Sequence, residues 1–168
     1  MRKLRVIAGA FVLAALSSCG TPEVSSNEEP MVLVSIVPQK YFVQRIAGDL
    51  VEVSVLIPPG ASPAAWELPP SDMRIVSEAD LWFSIGVPSE GNWEEEFTEL
   101  NPALGVVSSI AGIERLPIDR YGIPGEEHDH DHDDHHHGAE DPHVWLSPQL
   151  VRIQAETMAE ALAEMDPD

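Results

Sequence analysis

The hydrophobic positions of this chain alternate between short apolar runs and segments with helical spacing. The apolar runs predict β-strands at 31–37, 51–57, 81–85 and 105–110. Helical spacing predicts helices from Pro38 to Gly48, from a cap at Ser71 to about Ala79, and from Trp93 to about Leu100. Strands that alternate with helices favour an α/β fold, in which a parallel sheet is flanked by helices.

A further helix is predicted to begin at Pro148, with Ser147 as its N-cap, and to end at Asp166-Pro167. The segment 141–148 before it is predicted to be a strand or a turn, and its His143 falls where a strand is expected to end. Open α/β sheets bind ligands at the carboxyl ends of their strands. His143 is therefore a candidate ligand, although a lone histidine beside a tryptophan is more often a packed residue.

The first 19 residues have the layout of a secretory signal. Three basic residues precede an apolar run at 6–16, which is shorter than the roughly 20 residues that a membrane-spanning helix needs. We therefore expect 1–19 to be a cleaved lipoprotein signal peptide; the alternative is a short anchor that stays attached. Residues 20–30 are polar and lack an apolar period, which predicts a flexible tether.

Cys19 is the only cysteine, so the chain has neither a disulfide framework nor a cysteine-type zinc site. The segment Leu16-Ser17-Ser18-Cys19 resembles the lipobox of bacterial lipoproteins, in which the cysteine is acylated. The resemblance implies that Cys19 carries lipid and that the acyl chains hold the protein at a membrane surface. We expect a lipid-anchored protein of the periplasm or cell surface.

The chain is strongly acidic, with 29 Asp and Glu against 9 Lys and Arg and a formal net charge of −20. Such a surface repels nucleic-acid phosphates, so nucleic acid is not an expected partner. It attracts cations without selecting among them, and selectivity must therefore come from particular ligands.

Six of the seven histidines lie inside a low-complexity acidic loop at 126–140, where they fall within a stretch of ten residues. They are His128, His130, His132, His135, His136 and His137. Alternate residues of an extended segment share one side, so neighbouring imidazoles could hold one ion. Neutral imidazole suits zinc, copper and nickel, and the interleaved aspartates add oxygen donors. The loop predicts several weak, exchangeable metal sites; the alternative is a solvated acidic loop without a metal role.

Residues 141–148 resemble the DPHxWLSP motif of the zinc/manganese solute-binding proteins of metal ABC transporters. Shorter agreements with the same family occur at 35–38, 59–63, 70–72 and 79–81. A histidine-rich acidic loop before the DPH motif is typical of the zinc-specific members. The resemblance covers about 31–168 and implies the N-terminal lobe of a bilobal binding protein.

By this resemblance His143 is a direct metal ligand. The chain departs from the family in the first ligand loop, where Ala64 and Ala65 stand in place of a histidine. Glu67 is the nearest substitute, although a surface glutamate is usually only solvated. The remaining ligands of the family lie in the second lobe, which we expect to be absent from this sequence.

These features predict a binding protein and not an enzyme, since the chain has no HExxH-like pair and no P-loop. The resemblance implies Zn(II) as the transported ligand and the permease of an ABC-type importer as the partner. Mn(II) or Fe(II) is the less favoured cargo. A surface metal buffer or adhesin without a transport role is the alternative from a different functional class.

Overall fold

The computed structural model describes residues 29–117 and 140–165. Its sheet has four strands, β1 (Met31–Val34), β2 (Glu52–Val55), β3 (Leu81–Ser84) and β4 (Gly105–Ser108). All neighbouring strands are parallel, and their order is β2-β1-β3-β4. The predicted parallel α/β sheet is therefore confirmed. The predicted signal peptide, most of the tether and the histidine run lie outside the described residues.

The α-helices of the described part are α1 (Val37–Ala47), α2 (Met73–Glu78), α3 (Trp93–Leu100) and α4 (Pro148–Met165). Each lies where helical spacing predicts one. α1 ends at Gly48, whose φ of 61° is a left-handed conformation that glycine adopts without strain. α4 begins at Pro148, which has no N–H to leave unpaired in the first turn. No helix in the described part is long and apolar enough to cross a bilayer.

The strands are shorter than the apolar runs that predict them, and after β1 and β3 side chains accept backbone hydrogen bonds at the strand ends. After β1, Gln39 Oε1 accepts from the N–H groups of Ser35 (3.0 Å) and Ile36 (3.1 Å). After β3, the Glu90 carboxylate accepts from the N–H of Ile85 at 2.9 Å. Backbone donors that would extend the ladder are thus satisfied locally.

One local prediction is wrong, and one predicted alternative is decided. Ser71 does not cap α2: its hydroxyl donates to Asp72, and Asp72 occupies the N-cap position without a capping side-chain bond. Of the strand or turn predicted at 141–148, the described residues show a turn, in which the Asp141 carboxylate accepts the N–H of His143. A single antiparallel bridge joins Pro117 to Glu140, and a short 3₁₀ turn follows at Val144–Leu146.

The sheet is buried on both faces, as expected for a parallel sheet. On one face Trp82 packs against Trp93 and Phe97 of α3, with ring centroids 6.3 and 5.0 Å away. On the other face α1 and α4 pack against Val32, Val34 and Phe83 of the sheet. The helices contribute the buried side chains of Val43 from α1 and of Met158 and Leu162 from α4. Trp82 and Trp93 are therefore part of the hydrophobic core.

Gln39 joins the carboxyl ends of three strands. In addition to its contacts after β1, its Nε2 donates to the carbonyl of Phe83 in β3 (3.1 Å) and to Ser109 Oγ beyond β4 (3.0 Å). The side chain is fully buried, so these hydrogen bonds are shielded from water. The carboxyl edge of the sheet is therefore firmly held.

Candidate metal site

Asp141 and His143 form a compact turn. Asp141 Oδ1 accepts from the backbone N–H of His143 at 3.0 Å and lies 2.6 Å from the His143 ring Nδ1. A carboxylate can only accept hydrogen bonds, so the proton of the neutral ring belongs on Nδ1. This arrangement leaves Nε2 with a lone pair and fixes the orientation of the ring, as carboxylate partners do for metal-binding histidines.

The Asp141 carboxyl is held in its ionised form by the same contacts. The backbone N–H of His143, followed by its ring, lowers the pKa of Asp141 below its ordinary value. The His143 side chain is 57% exposed, and its ring lies 5.1 Å from that of Trp145. An oriented imidazole nitrogen therefore faces accessible space.

His143 lines a cavity of about 310 Å³ together with Asp141, Arg115 and Leu150. Arg115 also donates to the carbonyl of Gly86, which follows β3. The cavity therefore lies beside the carboxyl end of a strand, at the sheet edge where ligands are expected. His143 therefore lies at the predicted edge of the sheet, on a turn.

The loop that carries Glu67 lies elsewhere on this edge. Glu67 lines a second cavity of about 410 Å³, which shares no lining residue with the cavity of His143. Ser89 fixes the loop by accepting the N–H of Trp66 (3.0 Å) and donating to the carbonyl of Pro63 (2.7 Å). Ala64 is exposed on this loop.

The donor set of the described residues is incomplete for a closed zinc site. Among those residues, no three His, Cys, Asp or Glu side chains come close enough together to hold one metal ion. Zinc takes three or four protein ligands in its usual sites. His143 fits as one ligand; the six histidines of the run lie outside the described residues, as does Cys19.

Sequence reasoning missed two charged residues at the sheet edge. Glu90 is 9% exposed and accepts from the N–H groups of Ile85 and Gly86. Burial raises the pKa of Glu90, against the opposing effect of hydrogen bonds from Ser35 and from backbone N–H groups. Arg115 forms an ion pair with Glu140. Neither residue stands in a recognisable local motif, so no signal in the sequence singles it out.

A parallel α/β lobe with an oriented imidazole at its sheet edge corresponds to the class of metal-binding substrate-binding proteins of ABC transporters. The chain belongs to one family of that class: the family model described as ZnuA, zinc-uptake complex component A, periplasmic, matches residues 32–168. This membership confirms the resemblance that the DPH motif carries.

Individual relatives differ in the metal that their names give. The chain is 31% identical to the high-affinity zinc uptake system protein ZnuA of Yersinia pestis, over 81% of this chain and 46% of that protein. It is 30% identical to the manganese ABC transporter substrate-binding lipoprotein PsaA of Streptococcus pneumoniae, over 99% and 53%. A crystal structure of ZnuA superposes with a TM-score of 0.69 at 37% identity, over 84% of this chain and 49% of that one. The chain spans about half the length of the curated relatives it matches.

Proposed function

We propose that this protein is an extracytoplasmic lipoprotein that binds Zn(II) and delivers it to the permease of an ABC-type importer. In this proposal 1–19 is a signal peptide, Cys19 carries the lipid, 20–30 is a tether, and 31–168 is an N-terminal lobe. The family membership supports a metal-transport role, and the relative named for zinc supports the cargo.

The observation that carries the proposal is the Asp141–His143 pair. Its 2.6 Å contact holds the ring in the form that leaves Nε2 free, and the ring faces an open cavity. A borderline-soft nitrogen donor of this kind suits Zn(II) better than it suits Mn(II). A single imidazole binds zinc weakly, so further ligands from a second lobe complete the high-affinity site in this proposal.

The histidine run at 126–140 acts in this proposal as a collector of ions. Its six imidazoles, weak one by one, raise the concentration of zinc near His143 because both belong to one chain. Imidazole binds metal only in its neutral form, and its ordinary pKa is near 6.5, so collection by the run weakens below about pH 6.

Manganese is the second candidate cargo, because a matching relative is named for manganese transport. Mn(II) prefers oxygen donors, so its binding would depend little on the histidine run. A cargo of this kind would leave the fold and the transport role unchanged, and a comparison of the two metals distinguishes the candidates.

Calorimetric titration of four proteins tests the proposal: the parent, a deletion of 128–137, His143→Ala, and the two changes combined. We expect the deletion to remove most of the zinc bound at pH 7.5 and the combined variant to remove the rest. Parent uptake should fall several-fold at pH 5.5. Equal zinc uptake by the parent and the combined variant would refute histidine ligation. The manganese candidate would be favoured if the parent bound Mn(II) more tightly than Zn(II) and the combined variant retained that Mn(II) binding.

A further inference from the structure

Arg115 connects the carboxyl end of β3 to the segment that carries His143. Its Nη1 donates to the carbonyl of Gly86 at 3.1 Å, and its Nη2 forms an ion pair with Glu140. The planar guanidinium can satisfy two acceptors in fixed directions, which an ammonium group cannot do as well. The side chain is 23% exposed, so both contacts are partly shielded from water.

Gly86 leaves the room that the guanidinium occupies. A Cβ on Gly86 would lie 2.8 Å from Arg115 Nη1 and 2.9 Å from Ile110 Cδ1, closer than non-bonded atoms approach. The φ of Gly86 is 74°, a conformation that favours glycine independently of space. Arg115 is therefore packed into the strand end and is not only a surface cation.

The partner segment of Arg115 is also held by its backbone. Pro117 and Glu140 form an antiparallel bridge, and the N–H of Asp141 donates to the carbonyl of Leu116 at 2.7 Å. Asp141 in turn holds the backbone N–H and the ring of His143. An unbroken series of contacts thus leads from the end of β3 through Arg115 to the imidazole.

We propose that Arg115 is a positioning residue for His143: by joining Gly86 to Glu140 it holds the Asp141–His143 turn so that Nε2 faces the cavity. The inference rests on the proposed function only in taking His143 as a metal ligand. Arg115 does not touch the metal; it restricts the turn to the orientation that binds.

The direction in which zinc affinity changes when Arg115 is neutralised distinguishes a positioning role from simple electrostatics. Arg115 is a cation that lines the same cavity as His143, so by Coulomb's law its removal alone would favour a second cation there. A positioning role predicts the opposite result, since a turn that samples several orientations binds metal less well. A loss of zinc affinity on neutralising Arg115 would therefore support the positioning role and contradict the purely electrostatic account.

The test uses the chain with the six histidines of the run changed to asparagine, which makes His143 its only histidine. Imidazole ¹⁵N NMR then reports zinc binding at His143 and the ring tautomer without overlap. Arg115→Gln is the main variant and Arg115→Lys the conservative one. Arg152→Gln is the matched control, because it removes the same charge from an exposed ion pair with Glu156 at 2.5 Å on α4.

We expect Arg115→Gln to weaken zinc binding about threefold to tenfold, less than the ten- to hundredfold loss typical of removing a ligand's direct partner. Arg115→Lys should lie between this variant and the parent, and Arg152→Gln should match the parent. The single tautomer of the parent ring should become a mixture in Arg115→Gln. If Arg115→Gln does not fold, Arg115→Lys replaces it: it keeps the positive charge and removes the planar two-acceptor geometry, so a loss of zinc affinity supports positioning and an affinity equal to that of the parent contradicts it.

The two proposals fail in different ways. No zinc-dependent shift of His143 in the parent would overturn both the ligand assignment and the positioning role. A zinc-dependent shift in the parent, with equal or tighter binding by Arg115→Gln, would overturn the positioning role alone.

Discussion

Glu90 and Asp141 both accept backbone N–H hydrogen bonds, yet their pKa values move in opposite directions. Glu90 lies at the end of β3 and is 9% exposed, and burial raises its pKa although several hydrogen bonds oppose the shift. Asp141 lies in the exposed turn, where the N–H and ring of His143 lower its pKa. Hydrogen bonds thus set the direction at exposed Asp141, whereas at Glu90 burial outweighs them.

The difference separates the scaffold from the site. The raised pKa of Glu90 reflects the cost of placing a carboxylate inside the protein, where it satisfies the N–H groups of Ile85 and Gly86. Asp141 keeps its hydration and its charge, and in the proposed function that charge orients His143 for metal binding. Removing each carboxylate should therefore change a different property of the molecule.

Glu90→Ala should have the largest effect, and the effect should be on stability. The N–H of Ile85 loses its buried acceptor, that of Gly86 loses a partly buried one, and packing is lost as well, so we expect a decrease of about 3 kcal/mol in the free energy of unfolding. Urea denaturation measures the change. Glu160→Ala, at an exposed position of α4, is the control and should stay within about 0.5 kcal/mol. A Glu90→Ala protein as stable as this control would contradict the scaffold role.

Asp141→Asn should instead reduce metal binding and leave the fold intact. The neutral amide no longer favours the Nδ1–H form of His143, so we expect zinc binding at His143 to weaken about ten- to hundredfold. Imidazole NMR in the background without the run histidines measures this loss.

Asp49→Asn removes an equal charge from the exposed loop after α1 and is the control for net charge. Its zinc affinity should equal that of the parent. If the two variants lost affinity equally, the general acidity of the protein and not the Asp141–His143 contact would account for binding.

The scaffold was largely predictable from sequence, because its buried positions repeat with the periods of strands and helices. The bounds of α3 agree with the prediction, and the apolar runs at 31–37 and 81–85 contain β1 and β3. The ends of these strands were not predictable, since Gln39 and Glu90 reach back to them only in the folded chain.

The site was predictable only in part. The DPH motif singles out His143, and the spacing of Asp141 two residues before it is compatible with the observed turn. The contact between Arg115 and Gly86 joins residues 29 positions apart and has no local signal. Glu67 was a candidate ligand only because its loop resembles the first ligand loop of the family. The structure places Glu67 and His143 in different cavities.

The smallest predicted effect is a pH dependence that belongs to Glu90 alone. Below its ordinary pKa, near 4.5, the carboxyl is protonated in both the folded and the unfolded state, and the shift costs no stability. Between the ordinary pKa and the raised pKa of the folded state, the unfolded chain has lost its proton while the folded chain retains it. The free energy of unfolding therefore falls across this window and stays lower above it.

Glu90→Gln isolates this contribution, because glutamine has a similar shape and does not titrate. We expect the stability of the parent, relative to Glu90→Gln, to decrease as the pH rises from the ordinary pKa near 4.5 through the raised pKa of the folded protein. Measuring the difference between the two proteins at each pH cancels the titration of every other carboxyl, including Asp141, whose lowered pKa acts in the opposite direction. A difference that is constant or increases with pH would mean that hydrogen bonds, and not burial, govern Glu90, and the contrast between the two carboxylates would be lost.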